Sequence, residues 1–213
     1  MNTLKLILVD DHKMFREGLK SLITIQEIAT VIGEASNGKE FLELLEKQIP
    51  DVVVMDIAMP VMDGVEAARI ALERNPDLKI LTLSSFGDEE YYYKMIETGV
   101  KGFVMKNAGI IEFERAINDI ADGESYFSNE ILRRIVVNLG TGVKTKKSED
   151  LSKREVEVLK LICQGLTNEE IAESLHLSPE TIKSHRSHIL EKTSTKNTAS
   201  LVMYSIKNKL VEL

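Results

Sequence analysis

The stretch Val52–Gly64 reads VVVMDIAMPVMDG. Four apolar residues run straight into Asp56, and Pro60 and Gly64 follow soon after. So short a run, with no polar side chain before its end, suits a strand buried on both faces. Parallel sheets covered by helices on both sides are built from such strands, and they collect ligands at the carboxyl ends of the strands. An acid placed there is positioned for chemistry.

The pattern repeats outward from that stretch. Apolar runs lie at Leu4–Val9, Thr30–Glu34, Asp51–Met55, Lys79–Leu83 and Gly102–Met105. Helix-like segments near 13–25, 38–48, 64–74, 88–98 and 110–122 separate or follow them. Phe41, Leu42, Leu44 and Leu45 form an i, i+3, i+4 stripe in the second of these. Five strands alternating with five helices predict an α/β fold, a doubly wound five-stranded parallel sheet. The residues after the runs then converge on one edge: Asp10 and Asp11, Asp56, Ser84 and Lys106. One acid at a loop start is ordinarily a cap or a solvated charge. Five chemistry-bearing positions at strand ends are a far more specific signal.

Three clustered carboxylates repel one another, and at least one pKa is expected to rise. A divalent cation relieves the repulsion, and magnesium suits an oxygen-only cluster that also shares a phosphoryl ligand. A carboxylate so neutralised can attack phosphorus and become an aspartyl phosphate. Lys106 would supply positive charge to the phosphoryl oxygens, and Ser84 a hydrogen bond.

Composition bounds the remaining choices. The chain has 213 residues, 43% hydrophobic and 29% charged, an ordinary globular balance. No apolar run approaches the ~18 residues of a membrane span, so no membrane partner is expected. MNTLKLILVDDHK meets acid too soon for a secretory signal. The single cysteine, Cys163, excludes an intrachain disulfide and is expected in the core. These features suit a cytoplasmic location. Residues 1–140 carry 24 Asp+Glu against 15 Lys+Arg, a net of −9, while residues 141–213 carry +2. Two bodies with different partners are expected.

Residues 125–138 look like one more helix, and 140–150, with two glycines and no periodicity, like an exposed linker. Beyond it the period is purely helical. Ser152-Lys-Arg-Glu155 and Thr167-Asn-Glu-Glu170 fit capping boxes, Ser178-Pro179 places a cap before proline, and a last helix starts near Asn197. The segments Thr167–Leu177 and Ser178–Thr193, joined by a tight turn, have helix-turn-helix spacing. On the second, Ile182 and Ile189, and by period His185, face inward. Lys183, Ser184, Arg186 and Ser187 are placed on the outer face. Small residues beside basic ones let a helix approach base edges. Thr167 and Asn168, at a helix start, are candidates to donate to phosphate. His185 and His188 lack further ligands for a metal.

Two resemblances cover nearly the whole chain. VDD at 9–11, MDIAMPVMDG at 55–64, LS at 83–84 and GFVMK at 102–106 resemble the receiver domain of two-component response regulators. LSKREVEVLKLICQGLTNEEIAESLHLSPETIKSHRSHILEK resembles the LuxR-type DNA-binding domain. The combination is similar to the NarL/FixJ family. The expected division is a receiver at 1–122, a linker helix and flexible linker at 123–147, and a small four-helix DNA-binding domain at 148–213.

The resemblance implies that Asp56 accepts a phosphoryl group from a sensor histidine kinase. Asp11, Asp56 and the backbone carbonyl of Ala58 would ligate Mg2+, with Asp10 acting through water. Ser84 and Phe103 would be a switch pair, and Lys106 a phosphoryl ligand. Lys183, Ser184 and Ser187 become base-contact candidates and Arg186 a phosphate contact, in a homodimer that forms on phosphorylation and binds double-stranded DNA to control transcription. Thr193-Ser194-Thr195 departs from the family's usual turn, as does Asn107 from a common proline. The residues Ala58 and Phe86, both apolar, cannot orient a hydrolytic water, so a durable phosphoryl group is expected. Tyr91, Tyr92 and Tyr93 span too wide an arc for all three to be buried, and their face is expected to join a phosphorylation-dependent contact. A magnesium-dependent aspartyl-phosphate hydrolase would need a second acid where Ala58 stands. A flavin protein would need a hydroxyl- and glycine-rich loop in place of DDHKM. A regulator that works without phosphorylation is disfavoured by the intact acid, serine and lysine set. No enzyme acting on an external substrate is expected.

Overall fold

The computed structural model describes residues 3–85, 89–128, 130–132, 151–208 and 210–211. The chain divides into two compact units, 1–126 and 127–213. Phe86, the linker at 140–150 and half of the helix expected at 125–138 lie outside the described residues.

The first unit alternates strands and helices in chain order: β1 (Lys5–Val9), α1 (Lys13–Ile25), β2 (Thr30–Ala35), α2 (Gly38–Leu45), β3 (Val52–Asp56), α3 (Gly64–Arg74), β4 (Ile80–Ser84), α4 (Glu89–Thr98), β5 (Gly102–Met105) and α5 (Ile110–Ala121). A two-residue β6 (Tyr126–Phe127) follows. The sheet order is β2-β1-β3-β4-β5-β6. The four pairings β1–β2, β1–β3, β3–β4 and β4–β5 are parallel, with Leu6 opposite Val52, Val53 opposite Ile80 and Leu81 opposite Gly102. The observed sheet therefore has six strands where periodicity predicts five. The sixth is an edge pair too short to show alternation, held where Tyr126 N–H donates to the Lys101 carbonyl at 2.9 Å. It also corrects the helix start expected at Ser125, since Tyr126–Phe127 are strand and the described helical residues of this segment are 130–132.

All five residues of β3 and of β4 are buried, as their unbroken apolar runs require. Alternate strand residues serve opposite faces. Leu6, Leu8, Val54, Leu81 and Val104 share one core cluster with Ile23 of α1 and with Phe113, Ile117 and Ile120 of α5. Ile7, Val53 and Met55, one position out of step with those, are fully buried, as are Phe41 of α2, Ala67 of α3 and Met95 of α4. Each of the larger of these side chains contributes about 1.5–3 kcal/mol on leaving water, and together they fix the sheet whose carboxyl edge carries the site. The second helix stops at Leu45 rather than 48, where Lys47 N–H turns back to the Leu44 carbonyl.

The second unit contains α6 (Lys153–Cys163), α7 (Asn168–Leu175), α8 (Pro179–Thr193) and α9 (Thr198–Lys207). The starts are set by the hydroxyl residues that the sequence singles out. Ser152 with Glu155 and Thr167 with Glu170 form reciprocal capping boxes, and the Ser178 oxygen accepts from Thr181 N–H with Pro179 in the first turn. Asn197 caps α9 through Ser200. His176 and Ser194 end α7 and α8 in the left-handed conformation, with φ of 54° and 52°. Thr193-Ser194-Thr195 thus makes a working helix stop. Val158, Leu159, Ile162, Ile171, Ile182, Ile189, Ala199 and Leu201 are buried, and Cys163 lies with them. Among the described residues no helix is long and apolar enough to cross a membrane.

Candidate functional site

The carboxyl ends of β1, β3, β4 and β5 deliver Asp10, Asp56, Ser84 and Lys106 to one edge, each at the end of a strand whose interior is buried. Lys106 Nζ lies 2.7 Å from Asp10 Oδ2 and 2.8 Å from Asp56 Oδ2. Asp56 Oδ1 accepts from Ile57 N–H at 2.8 Å. Asp10 Oδ1 accepts from His12 N–H at 2.8 Å. Ser84 is buried and its hydroxyl donates to the Ser85 carbonyl at 3.1 Å.

Burial pushes the Asp56 carboxyl above its ordinary value, more strongly than Lys106 holds it down, and Asp10 adds repulsion in the same direction. Burial pulls the Lys106 ammonium the other way, yet its bonds to Asp10 and Asp56 leave it above its ordinary value. Burial, more than the repulsion among acids from which a rise is expected, is the cause at Asp56.

Oxygens of Asp10, Asp11 and Asp56 and a nitrogen of His12 all lie within 4.8 Å of one another. Asp10 Oδ2 and Asp11 Oδ1 are buried, with Lys106 Nζ 2.7 Å from the first and His12 Nδ1 2.9 Å from the second. Buried carboxylate oxygens gathered in one cluster fit a hard divalent cation. A second group is required to hold them without it, and Lys106 does so only for Asp10 and Asp56.

The loop after β3 is fixed by Gly64. Its N–H donates to the Ile57 carbonyl at 2.8 Å, and a Cβ there would lie 2.1 Å from the Asp56 carbonyl oxygen. Within the loop, Val61 adopts φ of 68°, and Met62 N–H closes back on the Pro60 carbonyl at 2.7 Å. A β-branched residue there is strained. Ala58, the expected carbonyl ligand, is exposed on this loop.

Phe103 is fully buried and meets the Tyr92 ring edge-on, with centroids 5.0 Å apart. Of the three tyrosines, Tyr92 is buried, Tyr93 half-buried and Tyr91 exposed, as the arc of three successive helical residues requires.

In the second unit, Lys183, Ser184 and Ser187 are exposed on α8 while Ile182 and Ile189 are buried. The Ser184 hydroxyl donates back to the Glu180 carbonyl at 3.0 Å. The Thr167 oxygen accepts from Glu170 N–H in the capping box, and Thr167 N–H is taken by Glu170 Oε2 at 2.8 Å. Arg186 turns inward instead of outward: Nη2 donates to the Leu166 carbonyl at 3.1 Å and Nη1 to Thr198 Oγ1 at 3.4 Å.

A model of the response regulator receiver domain matches residues 6–118, and a model of the luxR family of bacterial regulatory proteins matches residues 149–205. The chain belongs to the response regulators. It is similar to the oxygen regulatory protein NreC of Staphylococcus carnosus (strain TM300), with 35% identity covering 98% of this chain and 100% of NreC. Similarity extends to the transcriptional regulatory protein LiaR of Bacillus subtilis (strain 168), 35% identical over 98% of this chain and 99% of LiaR. Among solved structures, the response regulator ChrA of a heme-sensing two-component system aligns over 99% of this chain and 100% of its own, at 28% identity and TM-score 0.55. A LuxR-family response regulator from Aurantimonas sp. SI85-9A1 aligns over 64% of this chain and 98% of its own, at 31% identity and TM-score 0.60.

This response regulator combines a receiver with a LuxR-type DNA-binding unit, the architecture of a two-component transcriptional regulator. Two residues at the receiver site escape sequence reasoning. His12 Nδ1 lies 2.9 Å from Asp11 Oδ1. Arg16 of α1 donates to the Asp10 carbonyl, and its Nε reaches Glu34 Oε2 at 3.3 Å. Adjacency in DDH is the signal for the first; nothing local announces the second.

Proposed function

We propose that Asp56 takes a phosphoryl group from a sensor histidine kinase and that this mark strengthens dimerisation and sequence-specific DNA binding by the tail. The observation that carries the reading is the Asp56 carboxylate at the end of β3, flanked by two further acids and bridged to Asp10 by one largely buried lysine. The receiver is taken as 1–122, the connection as 123–147 and the DNA-binding domain as 148–213.

Asp11, Asp56 and the Ala58 carbonyl would hold magnesium, with Asp10 acting through water; the ion would neutralise the acids and the incoming phosphoryl oxygens. An Asp56 oxygen attacks phosphorus, the O–P bond forms, and the N–P bond of the donor phosphohistidine breaks, leaving imidazole. Lys106 then exchanges its contact with the Asp56 carboxylate for one with a phosphoryl oxygen. Ser84 turns its hydroxyl from the Ser85 carbonyl to another, and Phe103, packed on Tyr92, follows the shift. The mark adds about −1.5 to −2 charges at one point. Couplings of this kind are typically worth about 1–3 kcal/mol. The exposed Lys183, Ser184 and Ser187 face bases, and Thr167 and Asn168 approach phosphate.

Duplexes enriched from a random library by the acetyl-phosphate-treated protein provide the assay. Affinity should rise about 5- to 150-fold with acetyl phosphate and magnesium. The rise should vanish in Asp56→Ala, and Lys183→Ala should lose preference for the enriched duplex. Equal affinity with and without a demonstrated aspartyl phosphate would overturn the reading.

A further inference from the structure

The recognition segment α8 is tied to neighbouring elements by two of its own long cationic side chains, and a third, on α6, holds the end of the helix before it. Near its C-terminal end, Lys192 Nζ lies 2.9 and 2.8 Å from the two oxygens of Glu155, a buried acid on α6. Ahead of its start, Arg154 Nη2 donates to the Leu175 carbonyl at 2.9 Å, fixing the end of α7 from which the turn departs. At mid-length, Arg186 donates to the Leu166 carbonyl, in the turn before α7, and to Thr198 Oγ1, at the start of α9. Arg186 stands four residues after Ile182 and three before Ile189, both fully buried, so it shares their face of the helix. Its guanidinium is spread between two acceptors on two different elements. A planar fork reaches the two through separate nitrogens held at a fixed separation, whereas a lysine in its place would have to serve both from one point on a flexible stem.

We propose that Arg186 is a positioning residue: it sets the seat of α8 between the α6–α7 turn and the start of α9, and does not itself contact phosphate. The inference rests on α8 being the helix that reads DNA. It differs from the resemblance-based assignment of Arg186 to the DNA backbone, and the two assignments predict different salt dependence. Losing a phosphate contact lowers the slope of log affinity against log salt by about 0.9 per contact. Losing a positioning residue tilts or loosens α8, so base contacts weaken while phosphate neutralisation is unchanged.

The test measures binding of the full chain to an enriched duplex and to a random-sequence duplex across a KCl series, by fluorescence anisotropy. The wild type, Arg186→Met and Arg186→Lys are compared, with circular dichroism as the check on folding. Both variants should lose preference for the enriched duplex by about tenfold, the scale of one good base contact, with the salt slope unchanged. A slope lower by about 0.9 per subunit in Arg186→Met, with wild-type behaviour in Arg186→Lys, overturns the proposal and assigns Arg186 to phosphate. Should Arg186→Met fail to fold, Arg186→Lys decides alone, because it keeps the charge: wild-type preference overturns the proposal and lost preference supports it. If the wild type itself shows no preference for any enriched duplex, the DNA-reading function fails instead, and that result is separate from either Arg186 outcome.

Discussion

The Lys106 ammonium lies 2.8 Å from the Asp56 carboxylate, and the same nitrogen lies 2.7 Å from Asp10. One largely buried cation serves two buried anions, and among the described residues the ion-pair partner of the third acid, Asp11, is His12. Removing one partner of a buried ion pair leaves an uncompensated charge that costs about 3–5 kcal/mol. Lys106→Met should therefore lower the melting temperature in EDTA and regain much of the loss in millimolar MgCl2. Thermal unfolding under the two conditions checks this; an equal loss in both would separate the lysine from the acid cluster.

Two glycines make opposite predictions. A Cβ on Gly64 would lie 2.1 Å from the Asp56 carbonyl oxygen and 3.0 Å from the Ile57 Cα, backbone atoms that no rotamer change can move. Gly64→Ala should cost at least ~3 kcal/mol and displace the reacting carboxylate. Gly18, inside α1, has nothing within 4 Å of the corresponding position. Gly18→Ala should stabilise the receiver by about 0.5–1 kcal/mol through helix propensity. Urea unfolding of both variants tests the contrast.

Val61 is 82% exposed and holds φ of 68°. Its side chain contributes little burial, so strain dominates. Val61→Gly should relieve about 1–2 kcal/mol of strain and lose about 0.5–1 kcal/mol to chain entropy. A small net gain in the urea midpoint is expected, without loss of phosphoryl uptake.

The tail domain should be acid-sensitive through Glu155. Its bond to Lys192 is the main cause that holds the carboxyl down to about 2, against the opposing effect of burial, with Ser152 assisting. A depressed carboxyl pKa stabilises the fold above the ordinary value of 4.5, and that stabilisation is lost as pH falls toward 2. Thermal unfolding of the tail between pH 6 and pH 2 should show a decline below about pH 4.5 that Glu155→Gln largely lacks. Glu155→Gln should also be less stable near neutrality, by roughly 2 kcal/mol.

Much of this was legible in the sequence, for physical reasons that also mark the limits. Asp10, Asp56, Ser84 and Lys106 each end an apolar run, and a parallel sheet brings run ends together whatever the loops do. Helix starts at Ser152, Thr167 and Ser178 were legible because a cap and its partner lie within one turn. Tyr126–Phe127 was not, because two residues carry no period. Arg16 reaches Glu34, eighteen residues on, only through the packing of α1 beside β2, and its bond to the Asp10 carbonyl leaves no pattern in the sequence. Tyr92 against Phe103 is likewise a meeting of separate elements. Arg186 was placed outward by its charge, although its spacing from Ile182 and Ile189 already put it on the inner stripe.

Ser152 with Glu155, Thr167 with Glu170, and Asn197 with Ser200 each close a helix start within four consecutive residues. The sheet has no such economy: Leu6 must find Val52, and Val53 must find Ile80. A module whose punctuation is written so locally can be spliced behind a different sensor and still know where its helices begin.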